Sequence, residues 1–229
     1  MTAIEWKQVS FQYNHEEVLA PSTFSIEEGS WIGIIGPNGG GKSTLLRLLM
    51  GFLEPKSGTI RIFGKTPVEA RRWIGYVPQV LRSDRLFPIT LEEVVSLGGH
   101  FQVDAWIERL GLTPHRKKRF GALSGGLAQR ALVARALVSN PKLLLLDESI
   151  ANIDPVSAKA ILDILTELKG STTILFVTHD LNAIVERVQT ILCVHRSIEC
   201  HSPTEICEHF AMGLYHTPLL SLPKNHWKS

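Results

Sequence analysis

The chain has 229 residues, enough for one sizeable core, and its 24 Lys+Arg against 22 Asp+Glu leave a net charge of +2. With no run of five like charges, that balance excludes an electrostatic nucleic-acid footprint, and 44% apolar residues exclude intrinsic disorder. There is no apolar stretch near the roughly 18–20 residues of a membrane helix, no signal-peptide core, and no disulfide framework among three cysteines, so a soluble cytosolic chain is expected.

Apolar runs of strand length then alternate with helix-like patterns, the signature of a mostly parallel α/β sheet. Ile4–Val9 and Thr23–Ile26 read as strands, Trp31–Ile35 as a buried strand and Ser43–Met50 as a leucine-rich helix. Thr59–Phe63 and Trp73–Val77 read as further strands. From Leu91 to Leu112 the pattern turns helical, with Val94, Val95, Ile107 and Leu110 as core contacts. A helix follows over Gly125–Val138, capped by Ser124, and Leu143–Leu146 is a fully buried strand. Asp154 and Pro155 start a helix whose apolar stripe is Ile161, Leu162, Ile164, Leu165 and Leu168. Thr173–Val177 and Ile191–Val194 complete the strands, and residues 212–229 show little periodicity.

Nine of the 18 glycines lie between Gly29 and Gly64, which directs attention to that stretch. Within it, residues 36–43 read GPNGGGKS, matching G-x-x-x-x-G-K-[ST] between a strand and a helix. The backbone N–H groups of Gly36, Pro37-Asn38, Gly39, Gly40 and Gly41 (proline excepted), with Thr44 beyond, would surround phosphate oxygens at a helix N-terminus. Lys42 would reach the β- and γ-phosphates, and the Ser43 hydroxyl would bind Mg²⁺. About a hundred residues on, the strand Leu143–Leu146 ends in Asp147-Glu148. In that context Asp147 would hold the metal and Glu148 would polarise the attacking water.

Residues 123–130 read LSGGLAQR, and here the chain closely resembles the ATP-binding subunits of ABC transporters, whose signature begins LSGG. The resemblance spans nearly the whole chain. It implies an α/β P-loop NTPase of the ABC ATPase type, with a mostly parallel sheet core, an antiparallel β subdomain and a short helical subdomain around residues 80–138. It also implies roles. Tyr13 in FQY would stack on adenine; Gln79 in YVPQ would sense Mg²⁺ and γ-phosphate and face the membrane partner. Asp154 in ANID matches the D-loop, and His179 in VTHD the switch histidine. Ser124, Gly125 and Gly126 would complete the ATP site of a second copy, giving a head-to-tail dimer on integral-membrane permease subunits at the inner face of the cell membrane. ATP and Mg²⁺ are the implied ligands.

The sequence departs from the family where Leu127 and Ala128 follow LSGG, where Ser149 follows Glu148, and where the arm between Gly98 and Leu123 is short. The stretch Leu86-Phe87-Pro88-Ile89-Thr90 with Val94-Val95 resembles cassettes for manganese, zinc or iron uptake, implying an extracytoplasmic metal-binding protein as an indirect partner. The competing expectations are a soluble ABC ATPase, for example in iron–sulfur cluster assembly, a cassette for a non-metal solute, and a regulatory module with weak turnover. Cys193, Cys200 and Cys207 fall at seven-residue intervals with His195, His201, His209, His216 and His226 near or beyond them. Thiolates and imidazoles of this kind could form a regulatory Zn²⁺ site, but no C-x₂-C pair is present and a change from strand to helix is expected within the interval, so packing cysteines with a His-containing tail are the favoured reading.

Overall fold

The first two apolar stretches form one long antiparallel ribbon. β1 (Thr2–Tyr13) and β2 (Glu16–Glu27) turn through Asn14 and His15, whose φ values of 43° and 72° are those of a tight hairpin. The structure, a computed structural model, describes residues 1–79, 87–150, 153–178 and 187–203. After β3 (Trp31–Ile35) and α1 (Lys42–Leu49), β4 (Ser57–Ile62) returns to the ribbon and pairs with β1, giving a three-stranded sheet in the order β2-β1-β4. A short α2 (Pro67–Ala70) leads into β5 (Ile74–Val77).

The expected helix over residues 91–112 is two helices, α3 (Leu91–Ser96) and α4 (Val103–Arg109). The break falls at Gly98-Gly99. A Cβ on Gly98 would lie 1.8 Å from the Arg135 carbonyl oxygen, so this backbone runs directly against the helix α5 (Gly125–Leu137). Val94, Val95, Ile107 and Leu110 are all buried, so the core positions survive although the helix does not continue.

The remaining elements are β6 (Leu143–Asp147), α6 (Pro155–Glu167), β7 (Thr173–Val177), β8 (Thr190–His195) and β9 (Ser197–His201). Together with β3 and β5 they make a six-stranded sheet in the order β5-β6-β7-β3-β8-β9, parallel except for the last strand. Among the described residues, β9 is the one strand that the sequence does not predict. Cys200 lies on this strand, antiparallel to β8 and opposite Leu192, so Cys193 and Cys200 share one β-hairpin and no helix begins between them. The rest of the interval in which a change from strand to helix is expected runs beyond residue 203, outside the described residues. Cys207 and residues 212–229 lie outside the described residues.

The all-leucine run of β6 serves both faces of the sheet, as a parallel strand covered on both sides must. Leu144 and Leu146 join Trp31, Ile35 and Phe176 beneath α3–α6. Leu143 and Leu145 join Ile32, Ile34 and Leu175 beneath α1 and the antiparallel sheet. Arg116, just beyond α4, bonds Glu92 of α3 at 2.7 Å and also pairs with Asp104 of α4, tying the two short helices together. No helix among the described residues is long and apolar enough to cross a membrane.

Candidate active site

Parallel strands end together, and four neighbours in the sheet (β5, β6, β7, β3) deliver their carboxyl ends along one edge. Gln79 lies just beyond β5. Asp147 ends β6 with Glu148 next, and residues 36–41 run from β3 into α1. A cavity of about 390 Å³ opens there, lined by Val18, Asn38, Gly39, Gly41, Lys42, Ser43, Thr44, Gln79, Asp147 and Glu148. The glycine-rich loop and the acidic strand end, residues 36–43 and 147–148, thus face the same space.

The loop is shaped by what lies behind it. A Cβ on Gly36 would meet the Val194 carbonyl oxygen at 2.0 Å, so only glycine lets the chain leave β3 this close to β8. Gly39 has open space but a φ of 77°, so there the requirement is conformational. The turn between β8 and β9 adds two bonds: the Arg196 amide donates to the Gly40 carbonyl (3.2 Å), and the Ala20 amide of β2 donates to the Arg196 carbonyl (2.7 Å). α1 starts at Lys42 with no side-chain cap, leaving its first amides aimed at the cavity. Lys42 is buried, and its ammonium donates to the Gly36 and Pro37 carbonyls at 2.8 and 3.0 Å. Burial lowers its pKa, and the facing carboxylates of Glu148 and Asp147 oppose that shift.

Asp147 is raised above the usual carboxylate range, first by burial; the Tyr76 phenol, donating to its Oδ2 at 3.3 Å, pulls the other way, and neighbouring Glu148 raises it. Tyr76 itself is pushed up to about 12 by burial and by Asp147, so it keeps its proton at neutral pH. Glu148 sits in the left-handed region at φ 45°, with its amide donating to the Val177 carbonyl at 3.0 Å. That backbone turn is uncommon for glutamate and throws the side chain across to Gln79, whose Nε2 donates to Glu148 Oε2 at 2.5 Å. With the amide nitrogen so engaged, the Gln79 carbonyl oxygen joins the Ser43 hydroxyl and the Asp147 carboxylate among the oxygen donors that line the cavity. An all-oxygen set of this kind fits Mg²⁺.

Not every forecast residue joins this cavity. Tyr13, at the exposed end of β1, packs edge-on against Phe11 at 4.7 Å and does not line it. Ser124 caps α5 by accepting from the Leu127 amide at 3.4 Å, and neither it nor Gly125 or Gly126 lines the cavity. These residues gather instead with the start of α6. A Cβ on Gly126 would meet Asp154 Oδ2 at 2.1 Å and Ser157 Oγ at 2.3 Å. Asp154 caps α6, and the Ser157 amide bonding its Oδ1 at 2.9 Å holds that carboxyl below its ordinary range. Two helix N-termini therefore meet on a second surface. Gln129 of α5 links it back to the first by donating to the Pro78 carbonyl at 3.4 Å, one residue before Gln79. His179 lies outside the described residues.

Neither Val18 nor Tyr76 is among the candidate site residues that the sequence offers. Nothing in the sequence marks Val18; Tyr76, by contrast, sits three residues before Gln79 on a strand that pairs with β6. On the β8–β9 hairpin Cys193 is buried and Cys200 exposed, and the described residues hold no group of three or more His, Cys, Asp or Glu able to share a metal. His209, His216 and His226 lie outside them.

The family model described as ABC transporter matches residues 19–151. The zinc uptake system ATP-binding protein ZurA of Listeria innocua is 38% identical over 214 residues, which cover 85% of this chain and 83% of that protein. The manganese transport system ATP-binding protein MntB of Bacillus subtilis is 35% identical over 220 residues, covering 90% and 88%. A solved structure of an ATP-binding subunit of an ABC transporter superposes with a TM-score of 0.81 at 26% identity, covering 95% of this chain and 96% of that one.

Proposed function

The chain belongs to the ABC transporter family of ATP-binding proteins, and from that premise we propose that it hydrolyses ATP to drive a metal ion of the manganese, zinc or iron class across a membrane. The observation that carries the proposal is a single cavity holding Lys42, Ser43, Gln79, Asp147 and Glu148. The zinc and manganese relatives support the metal class. They do not choose the ion, because a cassette that handles only nucleotide leaves solute selection to its membrane and binding-protein partners.

Each residue then has a task. The amides of Gly36, of residues 38–41 and of the start of α1 cradle the phosphate chain, and Lys42 moves from the loop carbonyls onto the terminal phosphate oxygens. Ser43, Asp147 and Gln79 would hold Mg²⁺, which would supply positive charge against the developing negative charge of the phosphates. Glu148 accepts the proton of the attacking water; Gln79, bonded to it, fixes its direction. Tyr13, exposed at the end of β1, stacks on the adenine ring, and His179 contacts the γ-phosphate.

The Ser124, Gly125 and Gly126 surface, with Asp154 beside it, completes the site of a second copy. ATP is thereby held between two chains, and the pair docks on integral-membrane permease subunits at the inner face of the membrane, with an extracytoplasmic metal-binding protein upstream. Because ATP contacts both chains only when they are closed, its binding favours closure and its hydrolysis releases it. The test is ATP hydrolysis by the chain reconstituted with its permease. Glu148→Gln is expected to cut turnover by about 10²–10⁴-fold while keeping nucleotide affinity. Hydrolysis by that variant at the parent rate overturns the assignment.

A further inference from the structure

We propose that Tyr76 is a positioning residue for the magnesium carboxylate: its phenol fixes Asp147, and so sets metal affinity without touching metal or nucleotide. This rests on the reading of Asp147 as the Mg²⁺ residue. The geometry follows from the parallel pairing of β5 with β6. Tyr76 is in register with Leu145, so its side chain shares a face with Leu145 and with Asp147, two residues further along β6. Two residues of strand are about 6.6 Å, a gap that a phenol ring spans and a shorter side chain does not. The hydroxyl arrives 3.3 Å from Asp147 Oδ2.

Asp147 needs such a partner. It stands at the open end of a strand whose four preceding leucines are fully buried, and the cavity lies on its other side. A carboxylate there could turn about its terminal torsion and present either oxygen. With one oxygen held by the phenol, the plane of the group is set and the remaining lone pairs face outward in one orientation. Ligating carboxylates are commonly held by a hydrogen bond of this kind, and losing it costs about 10–100-fold in metal affinity or activity.

Tyr76→Phe removes one oxygen and leaves the ring; Tyr76→Leu removes both. Mn²⁺ serves as the probe, its binding to the full chain with a non-hydrolysable ATP analogue read by electron paramagnetic resonance. The phenylalanine variant is expected to bind Mn²⁺ about tenfold more weakly, to keep the parent's affinity for the analogue in EDTA, and to return to within about twofold of the parent's kcat at saturating Mg²⁺. Parent-like Mn²⁺ affinity in Tyr76→Phe, with loss only in Tyr76→Leu, makes the residue a packing element and overturns the proposal. Asp147→Asn separates the two levels of inference. If it weakens Mn²⁺ and Tyr76→Phe does not, Tyr76 alone is misassigned. If Asp147→Asn also binds Mn²⁺ like the parent, the metal assignment falls and the role of Tyr76 falls with it.

Discussion

Gly36 and Gly39 are three residues apart in one loop, yet glycine is required at each for a different reason. At Gly36 the obstacle is the Val194 carbonyl, 2.0 Å from where a Cβ would stand. That atom is backbone in the middle of a sheet and cannot swing aside. Gly36→Ala should therefore separate β3 from β8 and destabilise the chain by about 3 kcal/mol or more, measured by urea unfolding, with nucleotide binding lost alongside. At Gly39 the added methyl meets nothing and the cost is only that of holding alanine at φ 77°, about 1–2 kcal/mol. Nucleotide binding should survive Gly39→Ala at low temperature. Equal losses at the two positions would show that the hairpin does not constrain the loop. The motif marked Gly36 but not Gly39, and it gave no indication of why Gly36 is needed, because the Val194 carbonyl is contributed by a strand more than 150 residues downstream.

At the scale of elements, short helices with little core of their own are held by caps and ion pairs. α3 is fastened at its start by a reciprocal pair: Thr90 Oγ1 accepts from the Glu93 amide while Glu93 accepts from the Thr90 amide. It is fastened to α4 by Arg116. That guanidinium, through its hydrogen bond, holds the Glu92 carboxyl at about 2 against an ordinary 4.5. An acid whose pKa is lowered on folding adds stability above its ordinary value and loses it as the pH falls through its folded value. Arg116→Gln should accordingly melt below the parent at pH 7, and the difference should close between about pH 4.5 and pH 2. A gap that stays constant to pH 2 would place the stabilising effect of Arg116 in packing.

The same stretch shows where the sequence was readable and where it was not. The apolar positions of α3 and α4 were legible because burial alone sets them. Gly98-Gly99 is a turn signal that the helical periodicity overrode, and its reason lies in the backbone of α5. β9 escaped because Ile198 is its one strongly apolar residue; an edge strand that pairs on one side needs little more. For the site, the loop, Asp147 and Glu148 were legible as motifs carried on single elements. Tyr76 became visible only with strand register, and Val18 only with the fold of β2 over Gly41, where Val18 O would lie 3.3 Å from an added Cβ.

For the whole molecule, the row of strand ends has a consequence for how the protein reaches its native state. The strands that carry the site are neighbours in space but remote in the chain: Trp31 pairs with Ile174, and Ile74 with Leu143. Loops of that length close late, since their entropy must be lost before any contact compensates. No partly folded form that lacks β6 or β7 can present Lys42 and Asp147 to one another. A nucleotide that needs both recognises the finished sheet and none of its precursors, and it stabilises only that state. In refolding from urea, binding of a fluorescent ATP analogue should appear in the slowest phase alone, after the secondary structure seen by circular dichroism. Capture of the analogue in an early phase would mean that the loop and α1 suffice. Otherwise the ligand that drives the machine also certifies its assembly, and a cell rich in ATP selects the correctly closed sheet from its own folding intermediates.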